Sequence, residues 1–249
     1  MSDAVPRGLS ANTLKIIAAI SMAVDHVGAL LFPKIYVLRI IGRLAMPIFA
    51  WFIAEGMIKT RSPLRYFLRV FILAVVCQIP YIIVEHSFYL GILFTFSCSI
   101  GISALVRYVF YSPEKEKTRS DRVLGIVGIL AAVAFAYFLC EYVKIDYGFF
   151  GIMLPVSAYL FRGKGARMAA FTVCLFAFVI VCVVGEDPAS LSDVPRVIMT
   201  KEPEPFALLA IPLIALYSGY RGRLRMKYFF YIFYPAHMLI IYVISLFMK

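Results

Sequence analysis

The sequence predicts an all-α, polytopic integral membrane bundle, and three observations carry that prediction. Apolar residues make up 63% of the chain and charged residues 16%, at a mean hydropathy of +0.89, which excludes an ordinary soluble core. The apolar residues gather into nine runs, at about 14–32, 36–58, 66–84, 88–110, 123–143, 148–161, 168–184, 206–217 and 229–248. Lysine and arginine follow every second run, as cytoplasmic connections do. The expectation is therefore about nine transmembrane helices over residues 1–249, with the N-terminus cytoplasmic and the C-terminus extracytoplasmic.

The first run is too long for a signal-peptide core and lacks a small-residue cleavage site after it, so it reads as a retained helix. Runs 148–161 and 206–217 fall short of the roughly 20 residues a crossing needs, which makes them short, broken or re-entrant elements. The basic connections hold Lys59, Arg61, Arg65 and Arg69; Lys115, Lys117, Arg119 and Arg122; Arg162, Lys164 and Arg167; and Arg221, Arg223, Arg225 and Lys227. The intervening ones are acidic or sparse, with Glu85 and His86, then Glu141 to Asp146, then Glu186 to Glu204. Prolines 188, 195, 203 and 205 argue against one regular helix through that last stretch, which reads as a lid or surface cap.

The formal charge of +11 is accounted for by this loop pattern, with no basic domain for nucleic acid. Cys77, Cys98, Cys140, Cys174 and Cys182 lie within or beside apolar runs at no metal-ligand spacing, so they read as packing residues. No metal site, no internal repeat and no attached soluble catalytic domain is expected.

The polar groups inside the runs carry the functional reading. Asp25 and His26 sit side by side in the first run, where an ionisable pair is a functional-site hypothesis by default. A rise of about 1.5 Å per residue puts them in the outer half of the membrane. Arg39 and Arg43, four apart on one helix face, descend from the same side. Asp146 and Tyr147 open run six at that surface, and His237 follows Tyr234 and Pro235 in the last run, with Tyr231, Tyr234 and His237 on one face. Glu55 and Lys59 are spaced for a helical ion pair. An imidazole held by a carboxylate can take a proton from a hydroxyl or amine, and an arginine at the same depth can hold phosphate or a developing oxyanion. The set suits group transfer in a membrane cavity; it equally suits a proton relay in a proton-coupled transporter.

Five motifs, LKIIAAISMAVDHVG (14–28), RIIGRLAMPIFAWFIAEG (39–56) with KTR (59–61), CQIP (77–80), DYG (146–148) and KYFFYIFYPAHM (227–238), resemble the TraX family. These are membrane proteins named after the conjugation factor that acetylates the pilin N-terminus, within a wider group of transmembrane acyltransferases. The resemblance runs from about Leu14 to the end and carries over Asp25, His26, Arg43, Asp146, Tyr147 and His237.

It implies a single TraX-like domain in the bacterial inner membrane that transfers an acetyl or other acyl group from acyl-CoA, a co-substrate rather than a resident cofactor. The acceptor, a protein N-terminus, glycan, lipid or small amine, is left open. On this reading His26 is the general base, oriented by Asp25, and Arg43, with Arg39, holds donor phosphate or steadies the oxyanion. His237 is a second acid/base or donor-positioning group beside Tyr234, Asp146 and Tyr147 line the acceptor side, and the clusters Lys59/Arg61/Arg65 and Arg221/Arg223/Arg225/Lys227 meet the donor's phosphates. A family member kept only as an assembly partner, without turnover, is a third reading that the retained histidines and acid oppose.

Overall fold

A computed structural model describes residues 8–85, 89–111, 118–188, 190–223 and 226–248. His86, Lys115, Lys117 and Arg225, and the side chains of Glu85 and Lys227, lie outside the described residues. Among the described residues the chain is helical, and the only β pairings are the isolated bridges Leu9 to Tyr217 and Leu90 to Ile145. Six helical stretches among the described residues are long and apolar enough to cross a membrane: Ala11–Leu30, Tyr36–Lys59, Ile92–Tyr111, Arg119–Tyr142, Lys164–Gly185 and Phe229–Phe247. Length and apolarity thus support a helical membrane bundle with six candidate spans, short of the nine runs. Two of the other runs form the short apolar helices Gly148–Leu160 and Glu204–Ala215, and the first, at 13 residues, reaches only about 20 Å against a hydrocarbon core of about 30 Å. Run 66–84 falls within a 23-residue helix, Pro63–Glu85.

The chain divides into two compact units. The first comprises Met1–Phe52 and Leu175–Lys249, the second Ile53–Cys174.

In the first unit, α1 (Ala11–Leu30) starts where the Ser10 hydroxyl accepts the Thr13 amide at 3.1 Å, an N-cap that satisfies one of the helix's orphan donors. Two more are taken by the segment after α10 (Ala210–Ala215): the amides of Ala11 and Asn12 donate to the carbonyls of Tyr220 and Arg221. The turn after α1 leads straight into α2 (Tyr36–Gly42), which packs back on it. Close approach there depends on glycine. A Cβ on Gly28 would lie 2.8 Å from the Leu38 Cβ, and one on Gly42 would overlap the Asp25 side chain.

The second apolar run is not one unbroken helix. It turns at Arg43 and Leu44 before α3 (Ala45–Lys59), because Pro47 cannot donate to the carbonyl four residues back, that of Arg43, and its ring crowds it. The unit is completed by the second half of α8 (Lys164–Gly185), α9 (Val194–Thr200), the 3-10 turn Glu204–Leu209, α10 and α11 (Lys227–Phe247). The long acidic connection, expected as an irregular lid, therefore contains a short helix, fastened by the Tyr36 hydroxyl donating to the Ile198 carbonyl at 2.7 Å.

In the second unit, α5 (Ile92–Val106) and α7 (Gly148–Leu160) pack closely along small polar residues: the Ser99 hydroxyl donates to the Ile152 carbonyl and that of Thr95 to the Asp146 carbonyl, both at 2.7 Å. Ile102, Ala136, Ile152 and Val156 form an apolar core with α6 (Arg119–Tyr142). Leu124, Leu130, Phe135 and Phe138 of α6 stay exposed, a stripe that lipid covers and water would not tolerate. The Arg107 side chain donates to the Met57 and Thr60 carbonyls and so caps the C-terminus of α3.

Gly42→Ala is expected to cost about 1–3 kcal/mol, because the added methyl must displace Asp25, whereas Gly101→Ala, with nothing within 4 Å of the new Cβ, is neutral or stabilising. Thermal unfolding in detergent reads both, and equal melting temperatures for the two variants would contradict the close packing of α1 on α2.

Candidate functional site

The first unit builds the site from α1, α2, α11 and the turn before α10. Asp25 and His26 are neighbours in α1, so their side chains leave the axis about 100° apart, and they meet different partners. Asp25 faces α2. Its Oδ2 accepts from Arg39 Nη1 at 2.8 Å and its Oδ1 from Arg43 Nη2 at 2.5 Å, while the Asp25 carbonyl accepts a longer bond from Arg39 Nη1 at 3.3 Å. The second terminal nitrogen of Arg43 donates to Glu204, at the start of the 3-10 turn. Two guanidinium groups and two carboxylates thus alternate in one chain.

The burial differs along that chain. Arg43 is 5% exposed as a residue and is enclosed by carboxylates on two sides, so it is committed to the ion cluster rather than to a ligand. The Arg39 side chain retains 31% exposure and spends one terminal nitrogen on Asp25. Of the two arginines proposed for an anion, Arg39 is the accessible one.

His26 faces α11. Its Nδ1 lies 3.1 Å from His237 Nε2, and the rings are tilted by 53° with centroids 5.0 Å apart. His237 is 6% exposed, its ring stacks on Phe233 at 5.0 Å, and Tyr234 packs edge-on at 5.8 Å. Its Nδ1 is 2.8 Å from the Phe233 carbonyl, one turn back.

These contacts determine where the protons sit in a neutral pair. A carbonyl only accepts, so His237 Nδ1 carries a hydrogen and His237 Nε2 carries a lone pair. That lone pair accepts from His26 Nδ1–H. The unprotonated nitrogen left over is His26 Nε2. The imidazole expected to be held by Asp25 is held by His237 instead, because the carboxylate is already taken by two arginines. Pro235 lies within the same stretch of α11, where its missing N–H deprives the Tyr231 carbonyl of its helical donor.

The other expected site residues belong to the second unit. Tyr147 caps α7 in the left-handed conformation (φ 58°), followed by Gly148 at φ 51°, a pair of positive φ angles that costs a tyrosine energy and suits a glycine. Asp146 accepts from the Tyr89 hydroxyl at 3.3 Å and its amide donates to the Leu90 carbonyl at 2.9 Å. Lys59 pairs with Glu55 at 3.0 Å, and Arg167 meets the same carboxylate at 2.7 Å. Lys59 is half exposed, whereas Glu55 and Arg167 are buried. The structure therefore brings Asp25, His26, Arg39, Arg43, Tyr234 and His237 together in one unit and assigns Asp146, Tyr147 and Lys59 to separate local networks in the other.

Glu204 is the member that the sequence reading missed. It stood in a Glu-Pro-Glu-Pro stretch taken for a surface loop. The available signal was charge balance: two arginines facing one buried acid call for a second carboxylate. Among the described residues no group of three or more His, Cys, Asp or Glu is disposed to hold a metal ion.

Comparison with known proteins adds a family and one full-length relative. The family model described as TraX protein matches residues 10–245. The chain is 25% identical to the "Probable fimbrial assembly protein FimC, serogroup H1" of Dichelobacter nodosus over 260 aligned positions, which cover 96% of this chain and 97% of that protein. A local likeness, 49% identity over 41 residues and 16% of each chain, links it to the "Uncharacterized protein RP591" of Rickettsia prowazekii (strain Madrid E). No solved structure matches it.

Proposed function

Given that the chain belongs to the TraX family, we propose that it is a membrane-embedded acyltransferase that moves an acetyl or other acyl group from acyl-CoA to an acceptor amine or hydroxyl. The observation that carries this reading is the directed hydrogen-bond chain from the Phe233 carbonyl through His237 to His26, which leaves a basic lone pair on His26 Nε2.

In the reaction, the acceptor nitrogen or oxygen attacks the thioester carbonyl as His26 Nε2 takes its proton. The carbon–sulfur bond then breaks, the proton passes from the imidazolium to the departing CoA thiolate, and acylated acceptor and free CoA result. His237 stabilises the imidazolium across the Nδ1 contact. The partly exposed guanidinium of Arg39 balances the oxyanion. Asp25 and Arg43 act by holding Arg39 and the α1–α2 pair in register.

The topology we propose puts the N-terminus on the cytoplasmic side of the inner membrane, supported by the basic clusters that recur between the apolar runs. Acyl-CoA then enters from the basic face. The D. nodosus relative is a probable fimbrial assembly protein, and the TraX resemblance implies an N-terminal amine as acceptor, so together they make the N-terminus of a fimbrial subunit the first acceptor to try.

The test is thiol release from acetyl-CoA by the purified protein in lipid nanodiscs, with a peptide carrying a free or a blocked N-terminus. Thiol appearing with the free amine, and an acetylated peptide by mass, is the expected result. No transfer to any amine or hydroxyl acceptor, together with pH-driven uptake into vesicles without CoA consumption, would replace the enzyme with a proton-coupled carrier.

A further inference from the structure

The first two turns of α4 (Pro63–Glu85) carry a charge placement that the helix itself disfavours. Ser62 starts the helix: its hydroxyl accepts the Arg65 amide at 3.4 Å and its carbonyl the Tyr66 amide at 3.1 Å. The first turn holds no acid, although the partial positive charge of a helix N-terminus favours one. It holds Arg65 instead, and Arg69 follows one turn later, so like charges lie four apart at the positive end. Both arginines are exposed, and among the described residues no carboxylate forms an ion pair with either. Arg69 Nε donates to the Arg65 carbonyl at 3.0 Å, which draws the second guanidinium back along the helix toward the first. In the same unit α6 also opens on two arginines, Arg119 and Arg122, but Asp121 lies between them and closes a capping box with Thr118.

The rest of the stripe says what these arginines face. At 100° per residue, Arg65, Arg69, Ile72, Val76 and Ile79 fall within an arc of about 80° on α4. Ile72, Val76 and Ile79 are all exposed, as are Leu68 and Val75 beside them, an aliphatic surface of the kind lipid covers. From Arg69 to Ile79 the axial rise is about 15 Å, half of a hydrocarbon core of about 30 Å. One face of α4 thus sets two cations above an apolar length equal to one leaflet.

From this geometry we infer that Arg65 and Arg69 hold the phosphate of an anionic phospholipid whose acyl chains lie along Ile72, Val76 and Ile79. Charge and length select the occupant together: two cations without an acid take a net negative headgroup, and free CoA has no chain to lay on the stripe. A phosphate between the guanidinium groups offsets their repulsion and supplies the anion that the helix N-terminus lacks. Arg65, which the TraX resemblance gave to the donor's phosphates, is thereby given to the membrane. This lipid site does not depend on the acyl-transfer reading.

The probes are phosphatidylglycerol and phosphatidylcholine, titrated into the purified full-length protein in neutral detergent, with bound lipid counted by native mass spectrometry. The ratio of the two affinities is internal to each preparation, so it is insensitive to how much protein is folded. Wild type is expected to favour phosphatidylglycerol about 10–50-fold, from two cations at the headgroup level. Arg65→Gln combined with Arg69→Gln should bring the ratio to about 1–2-fold, Arg65→Lys with Arg69→Lys should keep most of it, and Arg122→Gln should leave it unchanged. Phosphatidylglycerol should also raise the melting temperature of wild type and of Arg122→Gln, but not of the glutamine pair. No preference in wild type, a preference that survives in the glutamine pair, or an equal loss in Arg122→Gln would overturn the site. So would loss of CoA binding, by calorimetry, in a glutamine pair whose lipid ratio is intact, which would return Arg65 to the donor.

Discussion

His26→Ala should abolish acetyl transfer by on the order of 10²–10⁴-fold while leaving the protein folded, because the substitution removes the basic nitrogen and leaves the Asp25 cluster intact. His237→Phe keeps the ring stacked on Phe233 but offers no lone pair to His26 Nδ1, so the proton on His26 is no longer assigned to the inner nitrogen. Its loss is expected to be on the order of 10²-fold. The two residues act as one unit on this account, and removal of both should cost no more than His26→Ala alone. Rates multiplying in the double variant would show two independent contributions and would break the relay, and full turnover by His26→Ala would remove the base altogether. Circular dichroism and gel filtration of each variant separate loss of chemistry from loss of fold.

Arg43→Ala is expected to destabilise the fold by about 3–5 kcal/mol, since it leaves the Asp25 and Glu204 carboxylates with reduced compensation inside the first unit. Both side chains are 13% exposed and that of Arg43 is 6% exposed, so water offers little relief. Arg43→Lys should recover only a small part. One ammonium cannot present two separate N–H faces to two carboxylates as a guanidinium does. Adding Glu204→Gln to Arg43→Ala should recover more, because a neutral amide removes one unpaired charge. Arg39→Ala should cost less stability, given its exposure, yet lower transfer if its charge balances the oxyanion. Equilibrium unfolding in mixed micelles measures all four, and a loss under about 1 kcal/mol for Arg43→Ala would mean the cluster is solvated and structurally idle.

Much of the architecture was legible from local pattern. Hydropathy located most of the helices, because a lipid-exposed backbone must satisfy its own hydrogen bonds and helices do so within one segment. The turn at Arg43 was written in Pro47, four residues on, although the run reads as continuous on composition. The short helix at Val194–Thr200 was hidden by its flanking prolines, which signal irregular backbone and here mark helix boundaries. Nine runs stand against six spans long and apolar enough to cross among the described residues: two runs form helices too short to cross, and the run at 66–84 lies in a 23-residue helix, Pro63–Glu85, that is long enough but carries Arg65 and Arg69.

The candidate site was half legible. Asp25, His26, Arg39, Arg43 and His237 stood out because charge within an apolar run is costly and has to be balanced. By itself the sequence determined which residues are candidates for chemistry and which helices hold them, since helical period and hydropathy are local properties. Only the tertiary structure decided who faces whom. A single step along α1 turns Asp25 toward two arginines and His26 toward a second histidine, and it is that rotation, combined with the glycine at position 42 that admits the carboxylate and the carbonyl of Phe233 that fixes a proton, which leaves the lone pair on His26 Nε2.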